Sequence, residues 1–150
     1  VDIRERRAED LPACVAGLRA VHLTDGYPLR WPPNPAAWLS PAGLIRAWIA
    51  SLPGVGPAGH VAVIAGAELS RLFVVPAARR RRVAAALVDV AVSWAREQAL
   101  PLALEVVDEG RSPAIAFYEA NGWQCTHTSV AGWTGPGGSP VRLRHYRLGA

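Results

Sequence analysis

The sequence predicts one α/β domain of the mixed α+β kind, built on a central sheet that is mostly antiparallel but holds a parallel pair at about 69–75 and 102–107. Three observations carry this. An apolar strand-like run, a helical run and a second strand-like run follow one another between residues 69 and 107. That is a βαβ unit, and its two strands run parallel. Pro/Gly turns at 53–57 and 65–66 separate apolar runs by hairpin-like distances, which favours antiparallel neighbours. The chain has 150 residues, 51% apolar and 19% charged, enough for one sizeable core. No internal repeat or linker divides it.

In chain order, residues 2–7 (DIRERR) alternate weakly and predict a first strand with Val1 and Ile3 inward. Asp10 predicts a helix start, with Pro12 tolerated in the first turn. Leu11, Val15, Leu18 and Val21 follow helical spacing until the turn signal Asp25-Gly26. Residues 25–41 (DGYPLRWPPNPAAWLSP) carry five prolines, two tryptophans and a tyrosine. Prolines lower the entropy of the unfolded loop, so ordering it costs less. Its aromatics either line a pocket or pack a lid onto the core. A short helix is expected near 35–39. Residues 44–52 suit a helix or a strand by composition, and the turns that follow favour strand for part of them. Residues 59–64 (GHVAVI) form the next strand.

The run 68–88 (ELSRLFVVPAARRRRVAAALV) starts as a strand and ends as a helix. Pro76 cannot donate a ladder hydrogen bond, so the strand stops near it. Good helix formers begin at about Arg81, and the helix is expected to reach Gln98 or Ala99. Residues 102–107 (LALEVV) form a buried strand. Ser112 caps a helix with Pro113 in its first turn, and Asn121-Gly122 ends it. Residues 123–130 and 141–148 read as the last two strands, joined by the Gly/Pro-rich segment 131–140. The last strand offers an edge through which two copies can pair as a homodimer.

Charge narrows the function classes. All 16 basic residues are arginine, and the net charge of +4 equals the cluster at 79–82, since the other twelve balance the twelve acids. A nucleic-acid binder spreads its basic residues over a face, so no nucleic-acid partner is expected. No run is apolar enough to span a membrane, so none is expected to bind there. The charged start lacks a signal sequence, which points to the cytoplasm. Cys14 and Cys125 show no metal or redox spacing, and the four histidines show none either. Both thiols are expected free and partly buried, as in a reducing compartment, and no metal is expected. The arginine cluster itself is either a solvated turn or an anion site, because a helix N-terminus offers unpaired N–H groups.

Two motifs identify a family resemblance. Leu72, Val74, Pro76, Arg79 and Ala84 match the cofactor motif of the GCN5-related N-acetyltransferases (GNAT), with Arg82 in its first glycine slot. Ala114, Ile115, Tyr118, Glu119 and Gly122 match a second motif of the same family, in the family's order and spacing, with Trp123 in place of Phe and Arg111 at a common Asn position. The resemblance implies a GNAT-like fold with helices on both faces, and acetyl transfer from acetyl-CoA to a primary amine of a small molecule or peptide. The same frame can serve a catalytically silent domain that binds CoA or another ligand.

Site residues follow from the resemblance. Leu72, Phe73 and Val74 would lie along the pantetheine arm, and Arg79, Arg80, Arg81, Arg82, Val83, Ala84 and Ala85 would hold the pyrophosphate. Non-glycine residues rarely hold φ > 0, so residues 80 and 82 are expected to be helical, with side chains outward and N–H groups still offered. Tyr118 is the candidate general acid; the alternative is a packed helix tyrosine. Glu68, at the start of a buried strand, is the candidate base, with desolvation raising its pKa; the alternatives are Glu105, His60 and Asp25, or a solvated strand end. His60 reads more simply as a core histidine with its hydrogen bonds satisfied. Tyr27, Trp31 and Trp133 offer aromatic surface to the acceptor.

Overall fold

A computed structural model describes residues 1–109 and 112–148. Seven strands form one sheet: β1 (Asp2–Glu5), β2 (Leu44–Leu52), β3 (Gly56–Ile64), β4 (Glu68–Val74), β5 (Ala103–Val107), β6 (Trp123–Thr134) and β7 (Pro140–Leu148). Their spatial order is β1-β2-β3-β4-β5-β7-β6. Among neighbours only β4 and β5 run parallel, as the βαβ reading requires. The helices are α1 (Leu11–Asp25), α2 (Pro35–Leu39), α3 (Val83–Glu97) and α4 (Pro113–Ala120).

Helices cover both faces of the sheet, and each face has its own core. Under α3 and α4 lie Trp48, Val61, Val63, Leu69, Val83, Leu87, Leu104, Tyr118 and Tyr146. Under α1 and α2 lie Cys14, Leu18, Val21, Leu39, Ile49 and Phe73. The central strand β3 is therefore buried continuously over residues 58–63. Helix α3 approaches β3 at Gly59, where a Cβ would stand 2.9 Å from Leu87 Cδ1 and 3.0 Å from the Phe73 carbonyl oxygen. Only glycine allows that approach.

One irregularity in β4 organises the rest. Leu69 faces the α3 core, yet Phe73, four residues on, faces the α1 core. Period-two alternation would put both on one face. Arg71 has φ 55°, and the β3–β4 register shifts between His60 and Ala62. This bulge inserts one residue and reverses the faces.

Several expectations need correction. Val1 is 57% exposed; Ile3 alone of that pair packs on the core. Helix α3 starts at Val83, because Arg82 (φ 60°, ψ 25°) is left-handed and cannot be a helical residue. Strand β6 continues to Thr134, beyond the expected 130, since Thr134 still pairs with Pro140 and the turn occupies only 135–139. The last strand, β7, lies between β5 and β6 and is no edge, so it cannot pair two copies; the edge on that side is β6. Cys125 is exposed, while Cys14 is buried. Arg111 lies outside the described residues.

Candidate active site

The site is a gap in the sheet. Strands β4 and β5 pair only at Glu68 and Ala103, with Ala103 N–H donating to the Ala67 carbonyl at 3.0 Å. Beyond that pair β5 is held by β7, through Leu143 to Arg147, and the two parallel strands part. Val75 N–H donates to the Ala58 carbonyl at 2.9 Å, and Phe73 is registered with His60. By alternation, Leu72 and Val74 turn their backbone groups into the gap.

Above the gap, β4 ends in a 3₁₀ turn at Pro76–Ala78 and runs through four arginines into α3. Arg80 (φ 64°) and Arg82 (φ 60°) are both left-handed, which corrects the expectation that they are helical. The loop thus takes a glycine-like path although neither residue is glycine. The first helical bond of α3 is Ala86 N–H to the Arg82 carbonyl, at 3.1 Å. The N–H groups of Val83, Ala84 and Ala85 therefore lack a partner within the helix, and no acidic residue occupies the first turn. The side chains of Arg80, Arg81 and Arg82 are exposed and make no hydrogen bond or ion pair among the described residues. Arg79 differs. Its guanidinium donates to the Val74 carbonyl at 3.1 and 3.3 Å and pairs with Asp25 at the end of α1. These contacts brace the loop against β4 and the end of α1.

Titratable side chains lie on both faces of the sheet: Tyr27 packs against the α1 core, and Tyr118 belongs to the α3 core. Glu68 is half-buried; desolvation raises its pKa above the usual carboxylate value, the nearby Glu105 charge adds to this, and Arg71 opposes it. Arg71 lies over the Trp38 ring, 4.0 Å from its centre, and its Nε donates to the Trp38 carbonyl at 3.0 Å. Tyr27 stands edge-on to Trp38, with ring centres 6.0 Å apart. Burial pushes the Tyr27 phenol up to about 12, and the Arg71 charge pulls it back. Tyr118 is 7% exposed and packs against Phe117, Trp123 and Tyr146. Burial, then the charge of Tyr27, drives its phenol well above the ordinary value, so it holds its proton at neutral pH. Glu68 is registered with Ala103, two residues before Glu105 on β5, and Arg71 and Tyr27 both pack on Trp38.

The aromatic residues expected at the acceptor divide. Tyr27 joins Arg71 at Trp38. Trp31 packs on α1, with its ring 5.3 Å from His22 and 4.8 Å from the Arg19 guanidinium. Trp133 is 44% exposed on β6. The hairpin that carries it does reach the 25–41 loop: Arg30 Nη1 donates to the Thr134 carbonyl at 3.4 Å, and a Cβ on Gly135 would meet Leu29 at 3.4 Å. Arg71 was missed by the sequence reading. A charge inside an apolar strand was its only signal. Glu105, His145 and His127 form a row of cross-strand partners; the two imidazoles stack 4.1 Å apart, and among the described residues no cluster can hold a metal ion. Two open clefts of ≈ 300 and ≈ 440 Å³ run along the flank of α3 and include none of Glu68, Leu72 or Val74.

Comparison with known proteins agrees with this architecture. The model of the acetyltransferase (GNAT) family matches residues 18–123. The ribosomal-protein-S18-alanine N-acetyltransferase of Escherichia coli superposes with a TM-score of 0.75 at 19% identity, over 98% of this chain and 92% of that one. Apo YjaB of Escherichia coli gives 0.67 at 25% identity, over 99% and 98%. NAA60 of Arabidopsis thaliana, solved with a bisubstrate analogue, gives 0.70 at 18% identity, over 98% of each chain. No curated protein matches. Among the described residues no helix is long and apolar enough to cross a membrane.

Proposed function

The chain belongs to the acetyltransferase (GNAT) family, and from that premise we propose that it transfers an acetyl group from acetyl-CoA to a primary amine of a small molecule or peptide. The observation that carries the reading is the gap between β4 and β5, bordered by the backbone of Leu72 and Val74 and topped by N–H groups and three guanidiniums that have no partner among the described residues. These fit an extended, phosphorylated co-substrate: a pantetheine-like arm can add itself along β4, and a pyrophosphate suits the N-terminus of α3.

Acetyl-CoA, when bound, supplies an activated acyl group and a thiolate leaving group. Arg80, Arg81 and Arg82 attract its phosphates, and the N–H groups of Val83, Ala84 and Ala85 orient them. An N–H within 72–75 offers a fixed dipole to the negative charge that develops on the acyl oxygen. Glu68, with a pKa above the ordinary value, takes a proton from the acceptor ammonium; Glu105 is the other carboxylate in reach. Tyr118 donates its phenolic proton to the departing sulfur, although burial raises its pKa and so opposes the transfer. The acceptor lies against Tyr27 and Trp133, with Trp31 behind the loop. Two structural neighbours are named as ribosomal-protein-alanine N-acetyltransferases, which makes a peptide with an N-terminal alanine the first acceptor to try. Two free cysteines accord with a reducing compartment, and we place the protein in the cytoplasm.

A second reading has a specific observation behind it. Arg79 occupies the Val74 carbonyl, one of the groups a pantetheine arm would use. A catalytically silent domain that binds CoA or another ligand would tolerate that contact. Differential scanning fluorimetry separates the readings. Acetyl-CoA at ~100 times its Kd stabilises the fold by about 2.7 kcal/mol, a shift of several degrees. No shift with acetyl-CoA or CoA at millimolar concentration would sink the acetyl-transfer reading and leave only a silent domain for another ligand. A shift without thiol release from the alanyl peptide, spermidine or other primary amines favours the silent one.

A further inference from the structure

The bulge at Arg71 is held from two sides, and both restraints lead to α2. On one side His60, wholly buried, donates its Nδ1–H to the Arg71 carbonyl at 2.9 Å. Its Nε2 faces Arg6 Nη1 at 3.0 Å. A guanidinium can only donate, so Nε2 is the acceptor and the proton is fixed on Nδ1. Burial holds His60 down at about 4, so it stays neutral. The same Arg6 donates to the Leu39 carbonyl at 2.8 Å and to the Ser40 hydroxyl, at the C-terminal end of α2. On the other side the Arg71 guanidinium lies on the Trp38 ring, and its Nε binds the Trp38 carbonyl, again on α2. A non-glycine residue with φ 55° persists only where its surroundings over-determine it. Here those surroundings are a helix that packs beside Tyr27.

We propose that Arg71 is a positioning residue that couples α2 to the bulge of β4, so that an amine seated against Tyr27 and Trp38 sets the backbone geometry of residues 72–74. The proposal rests on the acetyl-transfer reading for its purpose, but the coupling itself is a property of the unliganded protein. A shift of α2 pulls the Arg71 side chain directly and its carbonyl through Arg6 and His60. The bulge decides which backbone groups face the gap, so acceptor binding and transfer geometry change together.

Amide hydrogen exchange tests the coupling without any ligand. Trp38→Ala removes the stacking partner and is expected to speed exchange of residues 70–73 about tenfold in the wild-type background. Arg71→Gly accepts the left-handed φ while cutting the tether; exchange there is already fast and Trp38→Ala adds nothing. Unchanged exchange in Trp38→Ala, or the same increment in both backgrounds, overturns the proposal. If Arg71→Gly does not fold, Arg71→Lys gives the same comparison, because lysine loses the planar stacking. With acetyl-CoA and the alanyl peptide, Arg71→Gly is expected to lower kcat about tenfold and to raise the KM for acetyl-CoA less than that, since residues 72–74 also border its pantetheine arm. Wild-type kcat in that variant also overturns it. Absence of thiol release in the wild-type protein counts against acetyl transfer alone, because the exchange experiment reads the coupling independently.

Discussion

Replacing Arg82 by glycine and, separately, by alanine isolates the cost of the left-handed loop. Arg82 sits at φ 60°, ψ 25°. For an L-residue this conformation costs about 1–2 kcal/mol, because Cβ crowds the following carbonyl. Alanine keeps the Cβ and therefore the cost. Glycine removes it, but the unfolded chain gains freedom that takes back about 0.4–1 kcal/mol. The glycine variant should thus be more stable than the alanine variant by about 0.5–1 kcal/mol. In a chain of this length 1 kcal/mol moves Tm by about 2–4 °C, so the glycine variant melts roughly 1–4 °C higher. Thermal unfolding at high salt, where the lost arginine charge is screened, gives the clean comparison. An alanine variant that melts level with or above the glycine variant would refute the reasoning. Both variants lose one guanidinium, so the melting shift produced by acetyl-CoA should shrink in each.

Other perturbations have definite expected outcomes. Gly59→Ala pushes a methyl against Leu87 and the Phe73 carbonyl; urea unfolding should show a loss of about 1–3 kcal/mol, and acetyl-CoA should bind less tightly as the start of α3 is displaced. His60 has a folded-state pKa of about 4 against 6.5 unfolded, so the unfolded chain binds more protons between those values. Its contribution is complete above pH 6.5 and is lost as pH falls towards 4, by at most about 3 kcal/mol; a His60→Gln variant should show a flatter dependence of Tm on pH over that window. Glu68 has the opposite sign. Its pKa is raised above 4.5 in the fold, so the unfolded chain ionises first and stability falls as pH rises through 4.5 until the folded group has ionised; Glu68→Gln abolishes that slope. The acid limb of kcat/KM should have its midpoint above 4.5 in the wild type and disappear in Glu68→Gln, and a limb that survives assigns the base to Glu105 or to water. Tyr118→Phe should cut thiol release by about 10²–10⁴-fold while the acetyl-CoA melting shift stays unchanged; undiminished turnover removes Tyr118 from the acid role.

Local chemistry made much of the fold legible. Pro76 after an apolar run, Ser112 with Pro113, and the Pro/Gly turns each bound an element within a few residues of its observed end, because their constraints act on the adjacent backbone. The βαβ unit followed from length and order alone, and the two family motifs, which span residues 72–84 and 114–122, pointed to the fold and the cofactor frame. What the sequence could not settle depends on pairing between distant strands. Placing β7 inside the sheet requires β5 to choose it over β6, which no local signal records. The left-handed Arg80 and Arg82 contradict the intrinsic preference of arginine, because the path from β4 to a helix packed on Gly59 outweighs about 1–2 kcal/mol per residue. The bulge at Arg71 is decided the same way. A period-two pattern puts Leu69 and Phe73 on one face, and only the buried His60, held by an arginine 54 positions away in sequence, and the ring of Trp38 make the reversal stable. The sequence by itself determined most of the elements, the parallel pair and the concentration of charge at 79–82; tertiary packing alone decided where that loop bends and which backbone groups face the gap.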